Sequence, residues 1–298
     1  MKKTALILSV ILLLFLRVTA NPQTDSTTRS WNQPVKPFRV IGNIWYVGAS
    51  GVTSFLITTK DGHILLDSGL PETVPMIKQN VEQLGFKLTD IKNLINSHAH
   101  FDHAGGLAEL KELTGAKLIA SEADTELLSR GGKEDFQWGD QYAYRPVKVD
   151  YVLRKTRNRY QIERGGVSLN MILTPGHTKG STTWTMKVKE DGKQYNVIFA
   201  TSVSAPGYRL VNNDKYPKIV DDYRRTFKIL KSLSCDVFLG PHAEFFSMKE
   251  KIARMEEGAK PNPFIDPSGY REYLANGEKE IQKIIETQTQ EQMKKAGQ

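Results

Sequence analysis

Ser97-His98-Ala99-His100-Phe101-Asp102-His103 puts three imidazoles and one carboxylate into seven residues. It follows directly on Ile91-Lys92-Asn93-Leu94-Ile95-Asn96, an apolar run of strand length, so the cluster reads as a loop at the end of a buried strand. Zinc takes imidazole nitrogen and carboxylate oxygen at about 2.0 to 2.2 Å. His98 and His100, two apart on extended chain, converge on one ion, and Asp102 and His103 turn toward a second ion beside it. The chain has six histidines in all. His177 and His242 each stand in a Gly/Pro-flanked loop after another strand-like run, and each adds a ligand to one of the two ions. His63, inside an apolar run, reads as an ordinary packed histidine.

Outward from this cluster the chain reads as alternating strands and helices. Toward the N-terminus, Ile44 to Val47, Val52 to Thr58 and His63 to Asp67 predict an antiparallel meander, with Asp61-Gly62 as a hairpin turn that accepts positive φ. Val74, Ile77, Val81 and Leu84 recur at helical spacing, with Pro71 and Pro75 near the first turn. Beyond the cluster come a short helix from Leu107 to Leu113 stopped by Gly115, a strand from Lys117 to Ala120 and a helix around Ala123 to Ser129. Gly131 to Asp150 mixes glycine, charge and aromatics without a period. Its length predicts a functional loop.

Strands resume at Val167 to Leu173, Thr182 to Lys189 and Tyr195 to Ala200, the last two forming a hairpin across Glu190 to Lys193. Helices follow over Tyr216 to Leu233, Lys249 to Glu257 and Ser268 to Lys295, with a strand from Cys235 to Leu239 between the first two.

Composition bounds the rest. With 298 residues, 39% hydrophobic and 25% charged, the chain is ordinary globular material. Met1-Lys2-Lys3, the apolar run Ala5 to Leu16 and the small-residue exit Val18-Thr19-Ala20 predict a signal peptide over 1–20, with one domain over 21–298. The apolar run is shorter than the roughly 20 residues a membrane span needs. The expectation is therefore a periplasmic or secreted protein with no stable membrane anchor after cleavage. The formal net charge is +8, and the 41 basic residues less Lys2, Lys3 and Arg17 leave 38 against 33 acidic. That excess is spread along the chain and gives no clustered basic face for nucleic acid. Cys235 is the single cysteine, so no internal disulfide forms, and it reads as a small buried hydrophobe.

His98-x-His100-x-Asp102-His103 with a later Gly176-His177 and Pro241-His242 resembles the metallo-β-lactamase superfamily. Over Arg29 to Ser247 the chain resembles subclass B3 more closely. The stretches that carry this are Ser30-Trp31-Asn32-Gln33-Pro34, Leu65-Leu66-Asp67-Ser68-Gly69, Glu109-Leu110-Lys111, Thr114-Gly115-Ala116-Lys117, Ser204-Ala205-Pro206-Gly207-Tyr208 and Asp221-Asp222-Tyr223-Arg224-Arg225.

The resemblance implies an α/β fold of the four-layer αββα sandwich type. It implies two zinc ions per chain, one on His98, His100 and His177 and one on Asp102, His103 and His242. Water shared by such a pair loses a proton near neutral pH, which provides a hydroxide nucleophile against the β-lactam carbonyl of penicillins, cephalosporins and carbapenems. Asp102 would orient that nucleophile and Tyr208 would donate to the carbonyl oxygen. Ser202 and Ser204 would hold the substrate carboxylate, while Trp31, with Phe136 and Trp138, would line the cleft. Asp67 would support a ligand histidine.

Many other hydrolases of the superfamily carry a bridging aspartate where this chain has Thr201-Ser202-Val203-Ser204. That disfavours another metallo-hydrolase of the fold, such as a lactonase. Six intact ligands likewise disfavour a noncatalytic zinc-binding protein.

Overall fold

The computed structural model describes residues 26–154 and 160–296. The expected signal peptide lies outside the described residues. A short helix α1 (Ser26–Trp31) leads into a seven-stranded sheet in which β1 (Phe38–Ile41), β2 (Ile44–Tyr46), β3 (Phe55–Ile57), β4 (His63–Leu66), β5 (Ile91–Ile95), β6 (Lys117–Ser121) and β7 (Tyr151–Leu153) lie side by side in chain order. The meander β1 to β4 is antiparallel, as the turn residues predict, and β4 to β7 pair in parallel.

Parallel pairing needs crossovers. These are supplied by α2 (Val74–Gln83), the single turn α3 (Phe101–Ala104), α4 (Leu107–Thr114) and α5 (Glu122–Ser129). Gly115, at φ +69°, ends α4 in the left-handed conformation that glycine adopts without penalty.

The second sheet runs β12 (Val237–Leu239), β11 (Lys193–Phe199), β10 (Thr182–Glu190), β9 (Val167–Leu173) and β8 (Tyr160–Arg164). Outside it pack α6 (Ile219–Lys231), α7 (Met248–Glu256) and α8 (Pro267–Ala296).

Side chains alternate across each strand, and this sorts the core into layers. Phe55, Ile57, Ile64, Leu66, Ile95 and Ile119 face the other sheet, where Leu169, Met171, Trp184, Met186 and Phe199 meet them. Leu56, Leu65, Leu94 and Leu118 point the opposite way, onto Val74, Ile77 and Val81 of α2 and Leu107 and Leu110 of α4. The result is helices, sheet, sheet, helices, the four-layer sandwich that the resemblance implied.

Sequence pattern missed β1, β7 and β8. The last two are edge strands with little buried apolar surface, and β1 is a four-residue strand that starts one residue after Pro37, so none carries a strong periodic signal. Among the described residues no helix is long and apolar enough to cross a membrane.

Candidate metal centre

Every expected ligand sits past the C-terminal end of a strand, the end of such sheets where ligands gather. Asp67 lies there too, after β4. Its φ of +61° is left-handed, and its Oδ1 accepts a 2.6 Å hydrogen bond from the Ser97 amide. Ser68 follows, and its hydroxyl donates to the His103 carbonyl while accepting from Gly106 N. Two successive residues after β4 thus fix both ends of the histidine loop after β5. From the second sheet, Trp184 Nε1 donates to Asn96 O at 2.9 Å and Thr182 N to Ser97 O at 2.8 Å, so the loop is held from both layers.

Asp102 and His103 lie in α3, a helical turn where extended loop was expected. The turn carries them past His98, whose ring centroid stays 4.4 Å from that of His103. His177 stands between β9 and β10, in a loop braced by Asp124 of α5, whose carboxylate accepts from Gly180 N at 3.0 Å. Gly180 has no room for a side chain, because a Cβ there would lie 2.4 Å from Asp124 N. His242 follows β12.

Every one of the six expected ligands is brought into this cluster. His98, His100 and His177 each offer a nitrogen within one 4.8 Å group, with His100 Nδ1 and His177 Nε2 only 3.2 Å apart. Beside them, His103 Nε2, His242 Nε2 and Asp102 Oδ2 form a triangle with edges of 3.2, 3.3 and 3.4 Å. Ligands placed tetrahedrally about 2.0 to 2.1 Å from a zinc ion lie roughly 3.3 to 3.4 Å from one another, a spacing that the second set and the His100–His177 pair of the first come close to. Asp102 and His103 also fall within 4.8 Å of His98, which reflects how close the two positions are.

The far nitrogen of each ring supports this assignment. His98 Nδ1 is 3.0 Å from Ser97 Oγ, and His177 Nδ1 donates to Ser204 O at 2.8 Å. His103 Nδ1 faces Asp67 Oδ2 at 3.7 Å and His100 Nε2 faces Asp135 Oδ2 at 3.6 Å, both longer than hydrogen bonds. Each of these four rings thereby presents its other nitrogen to the centre, and His98 Nε2 is buried with no hydrogen-bond partner. Facing imidazoles without a proton between them repel unless a cation sits there. The residues present therefore fit two metal ions.

Burial favours the neutral, ligating form of His98 and His177, pushing the former well below the usual imidazole range and the latter to about 3. For Asp102, burial alone works toward protonation, but His103 and His242 hold the carboxyl well below its usual range.

The remaining expected site residues surround this centre. The Ser202 and Ser204 hydroxyls are 3.0 Å apart, on the chain after β11 whose Ser204 carbonyl orients His177. Trp31 meets the His242 ring edge-on with centroids 5.0 Å apart. Tyr208 stacks on the His177 ring at 5.7 Å, and its hydroxyl donates to His177 O at 3.0 Å. Phe136 and Trp138 pack against Tyr208. His63 lies away from the centre, where its Nδ1 accepts from Thr59 N and its ring packs on Phe86. Asp124 and Asp135 escaped the sequence reading. An acidic residue in a helix or an aperiodic loop carries no spacing signal, and only the fold brings these two to the histidines.

The family model described as the metallo-beta-lactamase superfamily matches residues 47–242. A Cronobacter sakazakii metallo-β-lactamase structure is 42% identical, with a TM-score of 0.84, covering 89% of this chain and 99% of that one. It is described by the motif HARLDQ, whereas the run here, HAHFDH from His98 to His103, has histidine at the third and sixth positions. The native FEZ-1 enzyme of Legionella gormanii is 42% identical with a TM-score of 0.83, covering 87% of this chain and 98% of that one. The subclass B3 enzyme of Bradyrhizobium japonicum is 40% identical with the same score, covering 88% and 98%. The chain belongs to the metallo-β-lactamase superfamily and, within it, to subclass B3. Curated relatives are more distant: an N-acyl homoserine lactonase of Bacillus cereus is 23% identical over 47% of this chain, and the match spans 60% of that lactonase.

Proposed function

We propose that this protein hydrolyses the β-lactam ring of penicillins, cephalosporins and carbapenems with two zinc ions, and that it acts in the periplasm or after secretion. The observation that carries the reading is the pair of ligand sets, His98/His100/His177 and Asp102/His103/His242, spaced at 3.2 to 3.4 Å where ligand atoms face each other. Such a zinc pair, when bound, supplies a water acidic enough to lose its proton at neutral pH and a Lewis acid for a carbonyl oxygen. The protein's own residues do the rest. Asp102, ionised between two imidazoles, would orient the attacking water by accepting a hydrogen bond from it. Ser202 and Ser204 present paired hydroxyls to the substrate carboxylate, and Trp31, Phe136 and Trp138 wall the cleft. Tyr208 stands one residue beyond Gly207 on the same wall, within reach of the carbonyl only if its hydroxyl gives up His177 O.

The lactonase reading is weaker on one specific ground. Thr201 to Ser204, at the end of β11, offers hydroxyls and no carboxylate to bridge two ions. The deciding experiment incubates the mature protein with one penicillin, one cephalosporin and one carbapenem, with and without chelator. Ring opening that chelator abolishes is expected. No turnover of any of the three at full zinc loading would overturn the function, and chelator-resistant turnover would overturn the mechanism.

A further inference from the structure

Asp135 stands in the long loop between α5 and β7 and is 4% exposed. Its Oδ1 accepts from Gln137 N and Trp138 N at 2.8 Å each, and its backbone exchanges two hydrogen bonds with Gly139. Oδ2 is left over and lies 3.6 Å from His100 Nε2. That nitrogen is buried and makes no hydrogen bond among the described residues. An imidazole that ligates through Nδ1 carries its proton on Nε2, and a buried N–H needs an acceptor. Asp135 Oδ2 is the acceptor aimed at it, and an approach of roughly half an ångström completes the bond.

The same loop is tied to the far wall of the cleft. Phe136 packs edge-on against Tyr208 and Tyr216, and Gln137 Nε2 donates to Gly207 O at 3.0 Å. We propose that Asp135 is a positioning residue for the first metal site: one carboxylate oxygen shapes the loop turn and the other fixes the tautomer and tilt of His100. The strap over the cleft and the ligand beneath it are thereby set by a single side chain. This inference rests on His100 being a zinc ligand.

Asp135→Asn separates the two jobs. Its amide oxygen still accepts from Gln137 and Trp138, but its NH2 meets His100 N–H donor against donor. Zinc binding to the full mature chain is measured by competition with a chromophoric chelator, and folding by melting of the metal-stripped protein. The expected result is that affinity for the first zinc falls by about 10- to 100-fold, the range for partners of a ligating histidine, while metal-free melting is unchanged. Asp135→Glu, which keeps a carboxylate near His100, recovers most of the affinity. Gln137→Ala, which frees the strap without touching His100, keeps it all and raises KM.

Unchanged zinc affinity in Asp135→Asn overturns the inference. So does a loss in Gln137→Ala equal to that in Asp135→Asn, and if Asp135→Asn fails to fold, a loss of about 10-fold or more in Gln137→Ala overturns it. A parent protein that binds no zinc overturns the metal reading itself, a distinct result.

Discussion

His103 Nε2 and His242 Nε2 lie 3.3 Å apart although 139 residues of chain separate them. Both nitrogens also face Asp102 Oδ2, at 3.2 and 3.4 Å. Two elements, the α3 turn and the loop after β12, converge there. Asp102 is the only anion in the set, so the second site depends on it most. Asp102→Ala is expected to retain one zinc per chain, lose most turnover and keep its far-UV circular dichroism. A variant holding two zinc ions with full turnover would contradict the ligand assignment.

Metal removal should destabilise the fold as well as silence it. Four buried imidazoles, the half-buried His242 ring and the Asp102 carboxylate face one another at the ends of β5, β9 and β12. A ligand present at 100 times its dissociation constant stabilises the folded state by about 2.7 kcal/mol per site. Calorimetry is expected to show a melting temperature that falls on chelation and returns when zinc is added back.

The paired hydroxyls of Ser202 and Ser204 make a prediction that splits binding from chemistry. The two hydroxyls lie 3.0 Å apart, and the Ser204 atom that meets His177 is its backbone carbonyl. Replacing both with alanine is expected to raise KM by about 10-fold with kcat nearly unchanged, the pattern of lost uniform binding. An equal fall in kcat would place the serines in the transition state instead.

Tyr208 already spends its proton on the His177 carbonyl at 3.0 Å. A preorganised oxyanion donor is worth roughly 10² to 10³ in kcat. Tyr208→Phe is therefore expected to lower kcat by less than about tenfold, with zinc content unchanged. A loss of a hundredfold or more would mean that the hydroxyl turns to the substrate.

Acid stability is set partly at Asp266, well away from the centre. Burial would raise its carboxyl, but Ser268 Oγ at 2.6 Å, Gly269 N at 3.0 Å and the buried Lys251 Nζ at 3.0 Å outweigh this and bring it to about 2. A folded-state value below the ordinary 3.8 adds stability above about pH 4, and this is lost as pH falls through about 2. Asp266→Asn should thus melt lower than the parent above pH 4, and the gap should close toward pH 2. A gap independent of pH would show that the carboxylate's charge is not the cause.

Much of this was legible beforehand. The apolar run Ile91 to Ile95 followed by three histidines and an aspartate announces a strand emptying into a metal loop, because strand periodicity and ligand chemistry are local properties. The hairpin β10 to β11 was equally legible from its Asp191-Gly192 turn, and α6 from its apolar stripe. Edge strands β7 and β8 were not, since half-exposed side chains leave no periodic trace. The turn α3 was missed because one helical turn has no period to read.

The sequence by itself determined the ligand types, most of the strand and helix order, and the absence of a bridging carboxylate between Thr201 and Ser204. The tertiary structure decided the grouping and the supports. It set which nitrogen of each ring faces the centre, by placing Ser97, Ser204, Asp67 and Asp135 against the opposite nitrogens. It also turned Tyr208 toward His177 and brought the Asp135 loop down onto His100. Those relations depend on where distant strands end, and sequence spacing carries no distance across a fold.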